Sequence, residues 1–504
     1  MTVPTEKPVP ANAWLPRKDW LWLVMVLLAG TLAISSQSFW MDEASTATIA
    51  TQPTLASWWQ VLSNGLGSDT QMPLYMIYSW GWVKIFGAAE WVLRASNLPW
   101  LLVAFLALPR RQPGFVLALA LSPFLWYYLN EARPYVMQMS ASLLLAGALA
   151  RLFAPPAAVA VPAPRSEGLW TTLFCCGLVT LSGSSMLGML WAGAMVLVFP
   201  LLLGWSRAWH LARRVWLVCL LTALTLGGLA DYYLWTIHHG NGGTQGATGL
   251  ANVVFIIYEL CGFAGLGPGR GDMHGSGVAA FHAAYLLPLA LYALLLLAVL
   301  WFGTGPVLRQ APARVWLGLL LPVALMAGCI LFLAVIRQNT LLGRHFAPVI
   351  ILLILLLGAG LERLRQAGGW QRALALVFLG LSLTSAASLR WCERHHKDDY
   401  RQAAALAIAA QAQGQRLWWC ADGTAGVYYG VPLSPARSPV AVPGKAWLIA
   451  DPPAAWLASN TIPDLVVLSK PELNDKRGDL RSYLQAHHFV CQQSFSVFKV
   501  WAHP

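Results

Sequence analysis

Apolar runs of near-spanning length recur along the first 390 residues of this chain, and they limit its fold more than any other feature. A helix needs roughly 20 apolar residues to cross a bilayer core of about 30 Å. Because lipid offers no hydrogen-bond partner, a spanning segment must satisfy its backbone internally, as an α-helix does. We therefore predict a mainly α, polytopic membrane protein with about 11–13 transmembrane helices. The predicted spans lie at residues 19–35, 91–108, 114–129, 136–151, 169–183, 186–204, 213–235, 279–302, 315–336, 346–361 and 371–389.

Basic residues set the predicted orientation of these spans. The formal net charge of +12 would suggest a nucleic-acid partner in a soluble protein. Here the basic residues form short clusters between apolar runs, so we exclude nucleic acid. With a cytoplasmic N-terminus, every arginine cluster between spans falls on the cytoplasmic side, where such residues are enriched. The opposite, extracytoplasmic side then receives Asp42, Glu43 and the tail from about residue 390 onward.

The chain divides into a predicted transmembrane module at 1–390 and a tail at 391–504. Two long external segments interrupt the module, and the first, 36–90, contains an aromatic run at 73–88 that predicts an interfacial or re-entrant helix. The second, 236–278, has glycine-rich ends that suit a mobile loop. The tail predicts a small α/β domain, because turns separate its apolar runs Leu417–Cys420, Trp447–Ala450, Leu465–Leu468 and Phe495–Trp501.

The eight cysteines show no metal-ligand spacing. If the tail is extracytoplasmic, Cys420 and Cys491 are candidates for a disulfide, since that compartment is oxidising. Cys392, the third cysteine of the tail, leaves this pairing open.

Asp42 and Glu43 stand eight residues or so beyond Ile34, where the first apolar run ends. Ionisable groups beside a membrane helix are costly to place, so this pair is a functional-site candidate. A carboxylate can take a proton from a hydroxyl, while arginine and lysine hold phosphate, which predicts transfer of a group from a lipid phosphate. Other candidates on the same predicted side are Trp40, Asp69, Gln71, Tyr75, Lys84, Arg94, Glu131, Arg133, Tyr135, Arg270, Arg344 and His345.

Five short motifs follow one another along the chain: MDEA from Met41, MPLY from Met72, EWVLRASNLP from Glu90, NEARPYVMQM from Asn130 and GRHFAP from Gly343. As a set they resemble the membrane glycosyltransferases of the GT-C superfamily, in its protein O-mannosyltransferase-like and lipid A aminoarabinose transferase-like branches. The resemblance covers about residues 20–390, and the tail from Lys397 looks like the soluble domain that many such bacterial enzymes carry. It implies the GT-C fold, a bacterial inner-membrane location, a polyprenyl-phosphate-linked sugar as donor, and a lipid, glycan or protein acceptor on the extracytoplasmic side.

The resemblance also implies roles for individual residues. Asp42 matches the proposed catalytic base, with Glu43 beside it, and Arg133 and Arg344 match arginines near the donor phosphate. The implied reaction is an inverting displacement at the anomeric carbon, with the leaving phosphate stabilised by preorganised arginines. The resemblance implies no definite cofactor, and a divalent cation held by Asp42 and Glu43 is an open alternative, because paired carboxylates suit hard cations.

One departure from the family pattern affects the donor site. The family often has histidine or lysine where this chain has Gln71 and Met72, which leaves phosphate binding to the motif arginines or to Arg94, Lys84 or Arg270. Tyr135 and His345 neighbour the motif arginines and belong to the same predicted group. The predicted substrate-binding residues are Trp40, Asp69, Gln71, Tyr75 and Glu131.

Two other functions compete with glycosyl transfer from a lipid phosphate. A lipid-linked glycan ligase or polymerase would place its key arginines in a large late external loop, and the 236–278 segment offers only Arg270. A polysaccharide or lipid transporter would carry charges near the middle of its spans and often shows repeated halves. The predicted spans are almost free of central charge and no repeat is visible, which favours the enzyme.

Overall fold

The computed structural model describes residues 17–64, 67–109, 111–153, 164–239, 248–269, 272–273, 277–310, 313–435 and 444–504. Arg270, one of the predicted phosphate-binding residues, lies outside these ranges. The helices up to residue 391 are α1 (Arg17–Ala33), α2 (Met41–Ala50), α3 (Leu55–Asn64), α4 (Pro73–Phe86), α5 (Glu90–Ala95), α6 (Leu98–Ala107), α7 (Pro113–Ala120), α8 (Pro123–Leu129), α9 (Tyr135–Phe153), α10 (Pro164–Ser184), α11 (Met186–Leu203), α12 (Trp205–Arg214), α13 (Trp216–His239), α14 (Leu250–Leu260), α15 (Ala283–Gln310, with a π-helical stretch at Val299–Thr304), α16 (Ala313–Arg337), α17 (Ile350–Ala367) and α18 (Gly369–Trp391).

Seven helical stretches within the described ranges are long and apolar enough to cross a membrane. They comprise α9, α11, α13, α15, most of α16, α17 with the 3₁₀ turn Gly343–Val349 that precedes it, and α18. The predicted mainly α, multi-span fold is thereby confirmed. The first predicted span is a shorter apolar helix, Asp19–Ala33.

Two predicted spans are each a pair of short helices rather than one continuous helix. The predicted span 91–108 is divided into α5 and α6, with a proline in the first turn of α6. The predicted span 114–129 is divided into α7 and α8 before Pro123. Proline removes a helical hydrogen bond and disfavours a helical residue before it, so Ser122 is extended and caps α8 instead.

Small residues let α6 and α9 pack backbone against backbone. A side-chain carbon added to Gly147 of α9 would clash with the carbonyl oxygen of Ala107 at the end of α6. Interfaces between membrane helices are enriched in such residues because close approach increases van der Waals contact. The largest buried core lies in this part of the molecule, where α1 and α6–α9 pack with α15, α17 and α18.

The first predicted external segment, 36–90, contains three helices, α2, α3 and α4. The helix expected at 73–88 is α4, which begins at Pro73 and ends before Gly87, whose φ is +89°. Its interfacial placement stays a prediction. In the second segment, 236–278, α13 continues to His239 and α14 follows. Residues 240–247, 270–271 and 274–276 of that segment lie outside the described ranges, and its mobility stays a prediction.

The C-terminal segment, defined here as residues 393–504, carries a five-stranded mixed sheet. Its strand order is β2-β1-β3-β5-β4, with β1 parallel to β2 and β3, and β5 antiparallel to β3 and β4. The sheet bears out the α/β alternation predicted for the tail. Its elements are α19 (Tyr400–Ala412), β1 (Leu417–Cys420), α20 (Gly423–Tyr428), β2 (Trp447–Leu448), α21 (Ala454–Ser459), β3 (Leu465–Ser469), α22 (Pro471–Asn474), α23 (Asp479–Ala486), β4 (Val490–Phe495) and β5 (Phe498–Ala502).

One buried core joins the C-terminal segment to the N-terminal helices. Phe39 and Ala44 pack in the same cluster as Tyr400 and Trp419. The Phe39 backbone N–H also donates to the Tyr429 hydroxyl over 2.7 Å. The C-terminal segment therefore docks directly on α2 and the loop before it.

The open question of a Cys420–Cys491 disulfide is answered by the sheet order. Both thiols are free, Cys420 buried on β1 and Cys491 exposed on β4. Two strands, β3 and β5, lie between β1 and β4. With neighbouring strands about 4.8 Å apart, the pair is far beyond disulfide reach.

Adding one methyl group at Gly147 is expected to force α6 and α9 apart. We predict that Gly147→Ala destabilises the protein by about 1–3 kcal/mol through overpacking, seen as a lower thermal unfolding midpoint in detergent. Gly193→Ala on α11 is the matched control, because a side-chain carbon there meets no atom within 4 Å. Equal stability of the two variants would contradict the proposed backbone contact.

Candidate active site

Asp42 and Glu43 occupy the first turn of α2, where acidic side chains complement the positive end of the helix dipole. Neighbouring residues on a helix point about 100° apart, so the two carboxylates do not converge. The Asp42 side chain is 24% exposed, whereas that of Glu43 is fully buried. The two acids therefore occupy different environments.

Glu43 lies at the centre of a buried polar cluster. Its carboxylate accepts two hydrogen bonds from Arg94, over 2.9 and 2.8 Å, in a bidentate ion pair. It also accepts from the Ala132 backbone N–H over 2.8 Å and from the Lys397 ammonium over 2.9 Å. Burial raises the pKa of Glu43, but the charges of Arg94 and Lys397 outweigh that effect and lower it to about 2.

Arg94 uses its whole guanidinium to hold this cluster in place. Besides Glu43, it donates to the backbone carbonyls of Ser35, Gln37 and Ser38 over 2.9, 2.7 and 3.2 Å. All five N–H groups of an arginine are thereby engaged. Arg94, predicted as a phosphate ligand, therefore connects the loop after α1 to α2, with no donor left over.

Asp42 faces a second arginine across the more open side of α2. Its Oδ2 accepts from the Arg344 Nη1 over 2.9 Å, and Arg344 is 15% exposed. The Arg344 guanidinium also lies 5.9 Å from the centre of the Trp40 ring. Burial raises the pKa of Asp42, but the charges of Arg133 and Arg344 outweigh it, so the net pKa lies below its ordinary value.

Arg133 holds α2 in place through hydrogen bonds to two of its residues. It donates to the Asp42 backbone carbonyl and to the Thr46 hydroxyl over 3.2 and 3.0 Å, and it forms an ion pair with Asp69. Asp69 in turn accepts from the Ser45 hydroxyl over 2.6 Å. Burial lowers the pKa of Arg133, but the charges of Asp69 and Asp42 outweigh that effect and raise it above its ordinary value.

The remaining predicted residues fall into two groups. Tyr75, Glu131 and Tyr135 are buried around Arg133, and the Tyr135 ring packs edge-on against Tyr128 with centroids 4.7 Å apart. His345 turns inward to its own 3₁₀ turn, where Nδ1 accepts from the Leu342 N–H. Gln71 ends the 3₁₀ turn that carries Asp69.

Lys84 lies apart from this group. It is exposed in the last turn of α4, where its ammonium is 5.4 Å from the Trp80 ring. Among the described residues it forms no ion pair. The structure does not bring Lys84 together with Asp42, Arg133 and Arg344.

Sequence reasoning missed three site residues because it treated the tail as structural. Lys397 pairs with Glu43, Lys470 lies 5.8 Å from the Trp40 ring, and Asp422 is close enough to Asp42 for their charges to interact. Lys397 is the first residue of the tail that resembles the family's soluble domain, and Lys470 stands two residues after the apolar run Leu465–Leu468.

An aromatic cleft lies between α8, α14 and the end of α18. Tyr127, Tyr128, Phe255 and Tyr258 contribute to its walls, and Glu259 adds a carboxylate. The Glu259 Oε2 accepts from the backbone N–H of Gly343, the residue before Arg344, over 2.8 Å. The cleft therefore adjoins the segment that carries Arg344.

A shared cation at the acid pair has little support from the geometry. A cation bridging Asp42 and Glu43 would have to displace the arginine or lysine that already pairs with Glu43. Within the part of the chain that the structure describes, no group of three or more His, Cys, Asp or Glu side chains is placed to hold a metal ion.

The chain shares its fold with two solved structures of one protein. The chain superposes on the structure of ArnT from Cupriavidus metallidurans in the apo state with a TM-score of 0.57 at 14% identity, covering 96% of this chain and 97% of that one. The structure of the same ArnT bound to undecaprenyl phosphate gives a TM-score of 0.55 at 14% identity, with coverage of 97% and 99%. No family model and no curated protein matches the sequence. The resemblance inferred from the motifs is confirmed at the level of the fold.

Removing the charge of Glu43 is expected to destabilise the protein. Its depressed pKa means that the ionised form stabilises the fold at neutral pH, by about 3 kcal/mol. We predict that Glu43→Gln lowers the thermal unfolding midpoint at pH 7, whereas Asp42→Asn, at a more exposed pair, changes it much less.

The same interaction predicts the direction of the pH dependence. A carboxylate whose pKa is lowered on folding contributes fully above about pH 4.5 and loses its contribution as the pH falls toward about 2. The difference in unfolding midpoint between wild type and Glu43→Gln should therefore shrink on acidification. A difference that stays constant down to about pH 3 would show that folding does not lower the pKa of Glu43.

Proposed function

We propose that this protein is a glycosyltransferase that moves a sugar from a polyprenyl-phosphate donor to a hydroxyl group of a lipid, glycan or protein acceptor, on the extracytoplasmic side of a bacterial inner membrane. The observation that carries the proposal is the Asp42–Arg344 pair, which places a partly exposed carboxylate beside a cation. It lies on a fold that, in ArnT, has been solved with undecaprenyl phosphate bound.

In the proposed reaction, the acceptor oxygen attacks the anomeric carbon while the bond from that carbon to the phosphate oxygen breaks. Asp42 takes the proton of the acceptor hydroxyl, and the polyprenyl phosphate leaves with the bonding electron pair. Attack from the face opposite the phosphate inverts the configuration. A positioned base contributes about 10²–10⁴-fold to such a step. The leaving phosphate needs no proton, only the positive charge that Arg344 and Arg133 provide.

The ion pair also explains how a carboxylate with a lowered pKa serves as a base. Without donor, Arg344 is paired with Asp42 and weakens it as a proton acceptor. A bound phosphate competes for the guanidinium, whose planar fork of N–H groups matches phosphate oxygens. When the phosphate shares the positive charge of Arg344, the pKa of Asp42 rises. Asp42 therefore becomes a stronger base once the leaving group is in place.

Glu43 and Arg94 receive positioning roles in this proposal. Each is fully buried and multiply bonded to protein groups, so neither presents a free atom to a substrate. Their shared ion pair fixes the first turn of α2, and with it the backbone of Asp42. The proton acceptor is thus Asp42 rather than its neighbour.

Replacing the proposed base tests this assignment. We predict that Asp42→Asn lowers turnover by about 10²–10⁴-fold in a detergent assay with a panel of polyprenyl-phosphate sugars, while substrate binding persists. The matched control is Asp464→Asn, which changes an exposed acid in the C-terminal segment that pairs with Arg416. Wild-type turnover by Asp42→Asn would remove Asp42 as the base.

The proposed sidedness can be tested with a native thiol. Cys491 is free and exposed on β4, so a membrane-impermeant maleimide should label it in intact spheroplasts. Cys491→Ser should lose that label and thereby identify the reacting residue. Labelling of Cys491 only after the membrane is permeabilised would place the C-terminal segment, and the site docked on it, on the cytoplasmic side.

A further inference from the structure

The parallel part of the C-terminal sheet has a topological switch point. The chain runs from β1 to β2 on one side and then returns to β3 on the other side of β1. In open α/β sheets, ligands bind outside the carboxyl ends of the strands at such a point, because the connections leave a crevice there. The carboxyl ends of β1 and β3 adjoin each other, with Cys420 opposite Leu468.

Two charged residues stand at that crevice. Asp422 follows β1 and caps α20, where its Oδ1 accepts from the Ala425 N–H over 2.8 Å. Lys470 follows β3 directly and adopts left-handed backbone angles of φ 42° and ψ 70°. For a residue with a side chain this conformation costs of order 1 kcal/mol, and such strain clusters at functional sites.

The crevice opens onto the proposed active site rather than onto solvent. The Lys470 ammonium lies 5.8 Å from the Trp40 ring, and the Arg344 guanidinium lies 5.9 Å from the same ring. Lys470 is also close enough to Asp42 for its charge to act on that carboxylate. One indole is therefore flanked by a cation from each part of the chain.

Among the described cations of the site, Lys470 and Arg344 are also the ones that a ligand can bind. Arg94 and Lys397 share the fully buried Glu43, and Arg133 holds Asp69 with several further bonds. Among the described residues, Lys470 instead forms one ion pair, to Asp398, with both side chains about 15% exposed. The Arg344–Asp42 pair is similarly open, at 15% and 24%.

We propose that Lys470 of the C-terminal segment binds, together with Arg344, the phosphate group of the lipid-linked donor above the Trp40 ring. This inference rests on the proposed function and extends it, because it makes the C-terminal segment part of the donor site. The phosphate displaces Asp398 from Lys470, as it displaces Asp42 from Arg344. A single ammonium acts as a point charge, which suits a phosphate oxygen in any orientation.

Binding of three probes to the full-length protein in detergent tests the proposal: undecaprenyl phosphate, the uncharged undecaprenol, and inorganic phosphate. Lys470→Gln should weaken binding of undecaprenyl phosphate about 10–100-fold, the loss expected for one charge-assisted hydrogen bond. Binding of undecaprenol should not change. Lys470→Arg should restore most of the affinity, and Lys476→Gln, at an exposed lysine six positions away, should match wild type.

A double variant that also removes the ion-pair partner of Lys470 controls for misfolding. Lys470→Gln with Asp398→Asn leaves no unpaired charge, and it should show the same loss for undecaprenyl phosphate. Equal weakening of phosphate and alcohol probes, or wild-type affinity in Lys470→Gln, would overturn the role of Lys470 while the glycosyltransferase proposal stands. Displacement of the lipid by inorganic phosphate at equal concentration would show recognition of free phosphate instead. Failure of the wild-type protein to bind undecaprenyl phosphate would overturn the proposed function itself.

Discussion

The carboxylate of Glu43 is where three distant parts of the chain meet. Arg94 reaches it from α5, Ala132 from the turn after α8, and Lys397 from the start of the C-terminal segment. A buried charge is tolerated only when its partners are complete, and loss of one partner costs several kcal/mol. This one group therefore determines how α2 is held, and the position of Asp42 depends on it.

In that arrangement, two adjacent residues have different roles, one structural and one proposed to be chemical. Glu43 is surrounded by fixed donors, whereas Asp42 and its arginine retain contact with solvent. In the proposed mechanism, the rigid pair fixes the backbone from which Asp42 acts, as preorganised sites require. The open pairs share a further property, since each holds a cation against a carboxylate that, in the proposed donor site, phosphate replaces.

Much of the fold could be predicted from the sequence because its cause is local. Apolar runs of sufficient length specify helices, and turn residues between short runs specify the small sheet. Two features of the fold could not be predicted. Pro123 turns one apolar run into two helices, and the edge strand β4, largely exposed and polar, carries no apolar alternation. The site was predicted as a set of motifs. Its division into buried and open ion pairs was not predicted, because Lys397 and Lys470 reach the site only through docking of the C-terminal segment.

The ion pair between Glu43 and Lys397 has a consequence for biosynthesis. The two residues are 354 positions apart, so at typical elongation rates Glu43 leaves the ribosome roughly 20–70 s before its second counter-ion. Arg94, only 51 positions later, neutralises the acid in the interval. Completion of the buried cluster thus waits until about the last fifth of the chain is being made, and before that a nascent chain has Arg94 but not Lys397 to pair with Glu43.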